Sequence, residues 1–223
     1  MPIRHITTVA VCAAFLVLAG GFAARPAEAA AATPGAHKRV FFIHHSTGEI
    51  YWNNGLESKL QAAGYSTNAP WWDGGTDPQD FYDLFTDPSS WDTFGNADII
   101  MFKSCFPASD ITSKAMLKQY RAWYRRLYAV YKAHPDVLFV AMSTPPLPKE
   151  MTTYKNARRA KKFDYSLKHR YIERYHEQGG GNNLIAFRLH KQLRNRFGYL
   201  KRRYVVDPYD GHPATGSGAQ VGK

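Results

Sequence analysis

The amino-acid sequence predicts an α/β domain built on a parallel β-sheet with helices on both faces. Short apolar runs at residues 39–44, 98–103, 137–142 and 184–187 alternate with stretches whose apolar residues recur at helical spacing. Strands that alternate with helices favour a parallel sheet. Polar motifs follow two of these strands, and functional sites in such sheets form at the carboxyl ends of strands.

Helical spacing is clearest over residues 112–131, where large apolar side chains fall on one face of the predicted helix. Either Thr112 or Ser113 can cap its start. An earlier helix is predicted over residues 52–60, and a basic helix over residues 154–177 is ended by three successive glycines.

The N-terminus has the layout of a secretory signal peptide. A positive start at Arg4 and His5 precedes an apolar stretch over residues 6–22, and Ala27-Glu28-Ala29 matches a small-x-small cleavage motif. The stretch is short and rich in alanine, which favours a signal peptide over a membrane anchor. No other apolar run in the sequence is long enough to span a bilayer.

We therefore expect three segments and a secreted, periplasmic or extracellular location. Residues 1–29 form the signal peptide, residues 30–38 a flexible lead-in, and residues 39–223 a single domain with a full core. Cys12 belongs to the first segment, so the mature chain keeps one cysteine, Cys105, and cannot form an internal disulfide. We expect Cys105 to be a small buried side chain rather than a reactive thiol.

The formal net charge is +11, and it is unevenly distributed. Residues 49–98 contain nine acidic residues and one lysine, whereas residues 149–203 contain sixteen lysines and arginines and four acidic residues. A basic half raises nucleic-acid binding as an alternative. Export and the lack of an RNA-binding motif argue against nucleic acid, and favour electrostatic association with an anionic cell envelope.

A serine motif, His44-His45-Ser46-Thr47-Gly48, follows the first predicted strand at a tight turn. A serine hydroxyl becomes an effective nucleophile when a base takes its proton, an acid orients the base and N–H groups stabilise the oxyanion. His212, in a loop bounded by glycine and proline, is the candidate base. Asp210 is the favoured acid and Asp207 the alternative.

These motifs resemble the SGNH (GDSL-like) hydrolase family. That family carries its nucleophile in a Gly-Asp-Ser motif after the first strand, and its acid and base in an Asp-x-x-His motif near the C-terminus, often followed by proline. In this chain, Phe42–Gly48 corresponds to the first of these motifs and Asp210–Pro213 to the second. The resemblance implies a three-layer α/β/α sandwich of flavodoxin-like topology, a Ser-His-Asp triad, and ester hydrolysis without a metal or other cofactor.

The chain departs from the family pattern at three places. His44-His45 replaces Gly-Asp, and the acid stands one residue closer to the histidine than in the family motif. The loop after the strand over residues 98–103 lacks the asparagine that stabilises the oxyanion in the family. The candidate substitutes are the backbone N–H of Ser46 or of a neighbour such as Gly48, backbone N–H groups of the loop at Ser104 and Cys105, the Ser104 side chain, and Asn53.

Four of the five tryptophans fall between residues 52 and 91, among most of the acidic residues of the N-terminal half. Residues 70–95 predict a long loop or a short-helix insertion. Aromatic faces beside carboxylates are typical of sugar-binding clefts, although large aromatics are also ordinary core residues. Trp71, Trp72 and His45 are therefore candidate substrate contacts.

His44 and His45 are not accompanied by a zinc-binding motif, so no metal site is expected. The predicted function is that of a secreted serine esterase whose substrate is a small-molecule or polysaccharide ester. Deacetylation of a carbohydrate or of the cell envelope is the finer hypothesis. The alternative from another class is a non-catalytic glycan- or envelope-binding protein on the same fold.

Overall fold

The computed structural model describes residues 39–70 and 72–216. Its five strands are β1 Arg39–Ile43, β2 Ser66–Asn68, β3 Ile99–Lys103, β4 Leu138–Met142 and β5 Leu184–Phe187. All neighbouring strands pair in parallel, in the spatial order β2-β1-β3-β4-β5. The predicted α/β fold with a parallel sheet of flavodoxin-like order is confirmed.

The helices connect the strands in the expected alternation. Their bounds are α1 Thr47–Tyr51, α2 Glu57–Ala62, α3 Pro78–Thr86, α4 Pro88–Phe94, α5 Lys114–Arg126, α6 Tyr128–Ala133, α7 Tyr154–Ser166, α8 Ile172–Glu177 and α9 Leu189–Leu193. The chain is kinked between α1 and α2, where the backbone of Asn54 and Gly55 is not helical, whereas a π-helical segment, Leu167–Tyr171, joins α7 to α8.

The two faces of the sheet bury separate hydrophobic cores because side chains alternate along each strand. Phe41 and Phe102 point to the face covered by α3 to α8, together with Phe139 of β4. Phe42 and Met101 point to the opposite face, which α1, α2 and α9 cover. Helices on both faces complete the three layers that the family resemblance implies.

The stretch over residues 70–95 contains two short helices, which is the second of the two predicted alternatives. Each begins at an Asp-Pro pair. Asp77 forms a capping box with Asp80 before α3, and the Asp87 side chain accepts a hydrogen bond from the Ser89 N–H at the start of α4. Proline suits the first helical position because its missing N–H would be unpaired there.

Three local predictions differ from the structure. The helix predicted over residues 52–60 is broken by the non-helical backbone of Asn54 and Gly55. Strand β2 is absent from the sequence prediction because Ser66-Thr67-Asn68 is polar, and β2 is partly exposed at the edge of the sheet. The helix predicted over residues 112–131 is two helices, α5 and α6, that meet at Leu127, whose N–H donates to the Tyr124 carbonyl three residues back rather than to the carbonyl four residues back. Ser113 caps the first of them by accepting a hydrogen bond from the Met116 N–H.

The predicted signal peptide and lead-in, residues 1–38, lie outside the described residues. Within residues 39–70 and 72–216, the structure contains no helix that combines the length and apolarity needed to cross a membrane.

The aromatic core beneath the sheet generates a stability prediction. Phe102 is fully buried, with its ring 4.9 Å from Phe81 and 5.3 Å from Phe85. Replacing it by alanine leaves a cavity, so Phe102→Ala should lower the free energy of unfolding by about 3–5 kcal/mol in urea titrations. The matched variant Phe197→Ala removes a ring that is 44% exposed and should cost less than about 1 kcal/mol. Equal losses would contradict this assignment of the core.

Candidate active site

Ser46 occupies the turn between the end of β1 and the start of α1. Its φ of 36° and ψ of −92° make it the one non-glycine residue with positive φ among the residues the structure describes. An L-amino acid in this region costs about 1–3 kcal/mol, so the surrounding structure has to hold it. Ser46 is partly exposed, and substrate can therefore reach its hydroxyl.

The carbonyl of His45 holds this turn. It accepts hydrogen bonds from the Gly48 N–H at 2.6 Å, the Lys103 ammonium at 3.4 Å and the Cys105 thiol at 3.3 Å. A Cβ at position 48 would lie 2.3 Å from the Cβ of His44, so the turn requires glycine there. Groups from β3 and its following loop thus fix the peptide that precedes Ser46.

Lys103 and Cys105 form a buried polar cluster beneath the turn. The Lys103 Nζ lies 2.5 Å from the Cys105 Sγ, and the Thr47 hydroxyl lies 3.3 Å from the same sulfur. Burial raises the pKa of the Cys105 thiol, but the positive charge and hydrogen bond of Lys103 outweigh it, so that the pKa lies below its ordinary value. A buried ammonium requires such polar partners.

Three residues predicted as a triad are brought together. Ser46 Oγ lies 2.8 Å from His212 Nε2, and His212 Nδ1 lies 2.5 Å from Asp210 Oδ1. The loop that carries the histidine is held by an antiparallel bridge between Val205 and Pro213. The arrangement allows a proton to move from the serine hydroxyl to the imidazole while the carboxylate fixes the ring.

Asp210 meets His212 in spite of the short spacing between them. Its Oδ1 also accepts the backbone N–H of His212 at 2.9 Å, and this hydrogen bond is the main reason that the pKa of Asp210 lies below its ordinary value. Asp207, the alternative acid, accepts the Tyr209 N–H at 2.8 Å instead and stabilises the turn. Of the two acids, the structure brings Asp210 to the histidine.

The Gly48 N–H and the side chains of Asn53, Ser104 and Cys105 are not available to an oxyanion. The Gly48 N–H is already bonded to His45, and the Asn53 amide donates to Glu49 at 2.6 Å. Ser104 is fully buried and Cys105 is 4% exposed, so neither side chain reaches substrate. The predicted burial of Cys105 is confirmed, but its environment is polar rather than apolar because Lys103 and Thr47 contact the sulfur.

His44, one of the two possible zinc ligands, is fully buried against the ring of Phe42. Burial, together with the charge of Lys103, lowers the pKa of His44 to about 4. The described part of the chain contains no group of three or more metal-ligating side chains. Of the candidate substrate contacts, Trp71 lies outside the described residues, Trp72 packs partly buried on the core, and His45 is partly exposed beside Ser46.

No protein-family model matches the sequence, and no curated protein matches it. Solved structures do match it in fold. One is a Streptococcus pneumoniae protein described as a candidate platelet activating factor, with TM-score 0.54, 12% identity, and coverage of 83% of this chain and 80% of that one.

A Bacteroides fragilis protein described as a candidate acylhydrolase matches with TM-score 0.51, 14% identity and 82% coverage of both chains. A GDSL-like lipase of Bacteroides thetaiotaomicron matches with TM-score 0.50, 15% identity, and coverage of 82% and 83%. The chain has the GDSL-like hydrolase fold. At such low identity this likeness establishes the architecture, and it agrees with the resemblance of the Ser46 and His212 motifs.

In this GDSL-like fold, Ser46 follows β1 and Cys105 follows β3, on either side of the point where the strand order reverses. Ligands bind at that point in open parallel sheets. Sequence reasoning missed the role of Lys103 beneath the turn. The available signal was a lysine that ends an otherwise apolar strand, Ile99–Lys103, all of whose residues are buried.

A second polar cluster, also missed, lies at the carboxyl ends of β4 and β5. The Ser143 hydroxyl donates to buried Asp164 at 2.9 Å and accepts the His190 N–H at 3.0 Å. Arg188 donates to the same carboxylate through two nitrogens at 2.6 and 3.0 Å. The cluster ties α7 and α9 to the sheet beside the site.

The buried histidines generate a prediction for pH. Burial is the main cause that lowers the pKa values of both His44 and His190 to about 4. An unfolded histidine has a pKa of about 6.5, so below that pH the unfolded chain takes up protons that the folded chain does not. The free energy of unfolding should be unaffected above about pH 6.5 and fall toward pH 4, by up to about 3 kcal/mol per histidine.

Urea titrations between pH 7.5 and 4.5 measure this slope. His190→Gln should flatten it, whereas the control His176→Gln, at an exposed position, should leave it as in the unmodified protein. Parallel curves for all three proteins would show that the slope arises elsewhere.

Proposed function

We propose that the protein is a serine hydrolase that cleaves carboxylic esters, with Ser46 as nucleophile, His212 as general base and Asp210 as the orienting acid. The observation that carries the proposal is the continuous chain of contacts Asp210 Oδ1–His212 Nδ1 and His212 Nε2–Ser46 Oγ, at 2.5 and 2.8 Å. These contacts lie at the ligand-binding edge of a fold shared with a GDSL-like lipase.

The proposed reaction has two halves. His212 Nε2 takes the proton of the Ser46 hydroxyl as Oγ attacks the ester carbonyl, and the imidazolium then gives that proton to the leaving alcohol as the carbonyl re-forms. Water attacks the resulting acyl-enzyme with His212 again accepting a proton, and the acid product leaves with Ser46 restored. Asp210 stabilises the imidazolium in both halves.

Ser46's own backbone N–H is the donor that we assign to the oxyanion. The serine precedes the first turn of α1, where N–H groups have no acceptor within the helix, and the Gly48 N–H is bonded to the His45 carbonyl. The strained backbone of Ser46 gives this N–H a fixed direction relative to Oγ. Pre-set donors of this kind stabilise the transition state without reorganisation.

The exposure of the site supports a large substrate. The side chains of His212 and Asp210 are 48% and 47% exposed, so the reacting groups lie at an open surface rather than in a closed cavity. A polysaccharide or cell-envelope ester can reach such a surface without a lid. The proposal includes export, supported by the signal-peptide layout of residues 1–29, and mature protein starting near Ala30 is the expected result of N-terminal sequencing.

Ser46→Ala should lower kcat for hydrolysis of short-chain aryl esters by about 10³–10⁶-fold, because the variant lacks the hydroxyl that forms the acyl-enzyme. Initial rates measure the loss, and a fluorophosphonate label should map to the Ser46 peptide in the unmodified protein. The control Ser58→Ala, at an exposed position on α2, should retain full activity. Unchanged hydrolysis by Ser46→Ala would refute Ser46 as the nucleophile, whereas no hydrolysis by the unmodified protein would favour the non-catalytic glycan-binding alternative.

The two neighbouring aspartates give a second, internally matched test. Asp210→Asn should lower kcat by about 10²–10⁴-fold, because the amide cannot stabilise the imidazolium. Asp207→Asn makes the same replacement of a carboxylate by an amide three residues earlier in the chain and should lower kcat less than about threefold. Equal kcat values for the two variants would refute Asp210 as the orienting acid.

A further inference from the structure

A cleft of about 440 Å³ opens between α5 and the continuous helical segment of residues 154–177, on the sheet face covered by α3 to α8. One wall carries cations at a spacing of three or four residues along α5, so that they form a single stripe: Lys114, Lys118, Arg121 and Arg125. This stripe extends over about 16 Å at the helical rise per residue.

The opposite wall repeats the pattern with Lys162, Arg170 and Arg174. Ser166 stands in the same row, and its hydroxyl accepts a hydrogen bond from Arg121 Nε at 3.0 Å, while Arg121 Nη2 donates to the Lys162 carbonyl at 3.0 Å. The two walls are therefore cross-linked by a guanidinium, which fixes the separation of the two cationic rows.

None of these seven cations is paired with a carboxylate within the part of the chain that the structure describes. Within residues 39–70 and 72–216, the basic side chains paired with a carboxylate are those of Arg39, Arg188 and two histidines, all outside the cleft. Burial lowers the pKa of Arg121, and the positive charges of Arg170 and Arg125 lower it further. Like charges held together in this way favour a ligand that brings several negative charges.

We propose that this cleft, the basic groove, binds a linear acidic polysaccharide. Two rows of cations match a chain that carries a negative charge on successive units, and guanidinium groups bind carboxylates through paired hydrogen bonds. The proposal concerns a site separate from Ser46 and does not depend on esterase activity.

The lining and the shape of the basic groove argue against two other classes of polyanion, single-stranded nucleic acid and an anionic membrane. Single-stranded nucleic acid needs exposed aromatic faces on which bases stack, whereas the floor tyrosines Tyr124, Tyr128 and Tyr171 are 1%, 4% and 5% exposed. A flat bilayer surface cannot enter a cleft between two helices. A flexible polymer without aromatic groups can enter this cleft.

The order of elements along the chain shows which end of the basic groove lies nearer Ser46. Helix α5 follows the loop after β3, so its first cation, Lys114, lies toward the carboxyl edge of the sheet that also carries Ser46. A polymer in the basic groove would leave it at that end, toward the candidate active site.

Titration calorimetry with polygalacturonate tests the proposal. The unmodified protein should bind it, more weakly as salt is raised. The variant K118Q/R125Q/R170Q should bind about tenfold more weakly, since three exposed ion pairs are lost. The control K59Q/K155Q/K191Q removes the same charge from exposed positions outside the basic groove and should change affinity less than about threefold.

Three results would overturn the proposal: no binding by the unmodified protein, equal weakening in both variants, or tighter groove-dependent binding of a single-stranded DNA oligonucleotide or of phosphatidylglycerol vesicles. Hydrolysis of a small aryl ester should be the same in all three proteins. An inactive protein that still binds polygalacturonate through the basic groove would refute the proposed esterase and leave this site standing.

Discussion

The backbone of Ser46 is the constraint on which the candidate active site depends. A positive φ at a non-glycine residue persists only where its neighbours prevent relaxation. Here the His45 carbonyl accepts three donors, two of them from the end of β3 and the residues that follow it. The pairing of β1 with β3 is what brings these donors beneath the turn. The strain at Ser46 is therefore balanced by the pairing of β1 with β3 together with the local contact of Gly48.

The same arrangement explains why a lysine and a cysteine can be buried side by side. Lys103 gains acceptors in the His45 carbonyl and the Cys105 sulfur, and the thiol gains a positive neighbour that lowers its pKa. An ammonium without such partners would be too costly to bury. In this fold the cluster holds the peptide that precedes Ser46. The exposed loop that carries Asp210 and His212 comes from the other end of the chain.

The two proposed sites lie on different surfaces of the described part of the chain. The carboxyl edge of the sheet carries the Ser46–His212–Asp210 contacts, and the helical layer over one face carries the basic groove. The acidic and basic segments of the sequence thus have different structural roles. Much of the acidic segment forms α3 and α4, whereas Lys162, Arg170 and Arg174 of the basic segment line one wall of the groove.

The sequence by itself determined the alternation of strands and helices and the parallel sheet, because hydrophobic periodicity is a local property. It also indicated that Ser46 and His212 belong to one site, because each stands in a motif that resembles the same family, and the contact between them spans 166 positions. It did not determine β2, whose polar residues at an edge of the sheet carry no apolar signal, or the choice between Asp207 and Asp210, which depends on how one turn folds. The Asn53 amide is taken by Glu49, four residues earlier in the chain, whereas the Ser104 side chain is not supported as an oxyanion donor because its burial arises only when distant segments meet. Lys103 became a support for the nucleophile turn for the same reason: the contact that gives it this role spans 58 positions in the chain and exists only in the folded sheet.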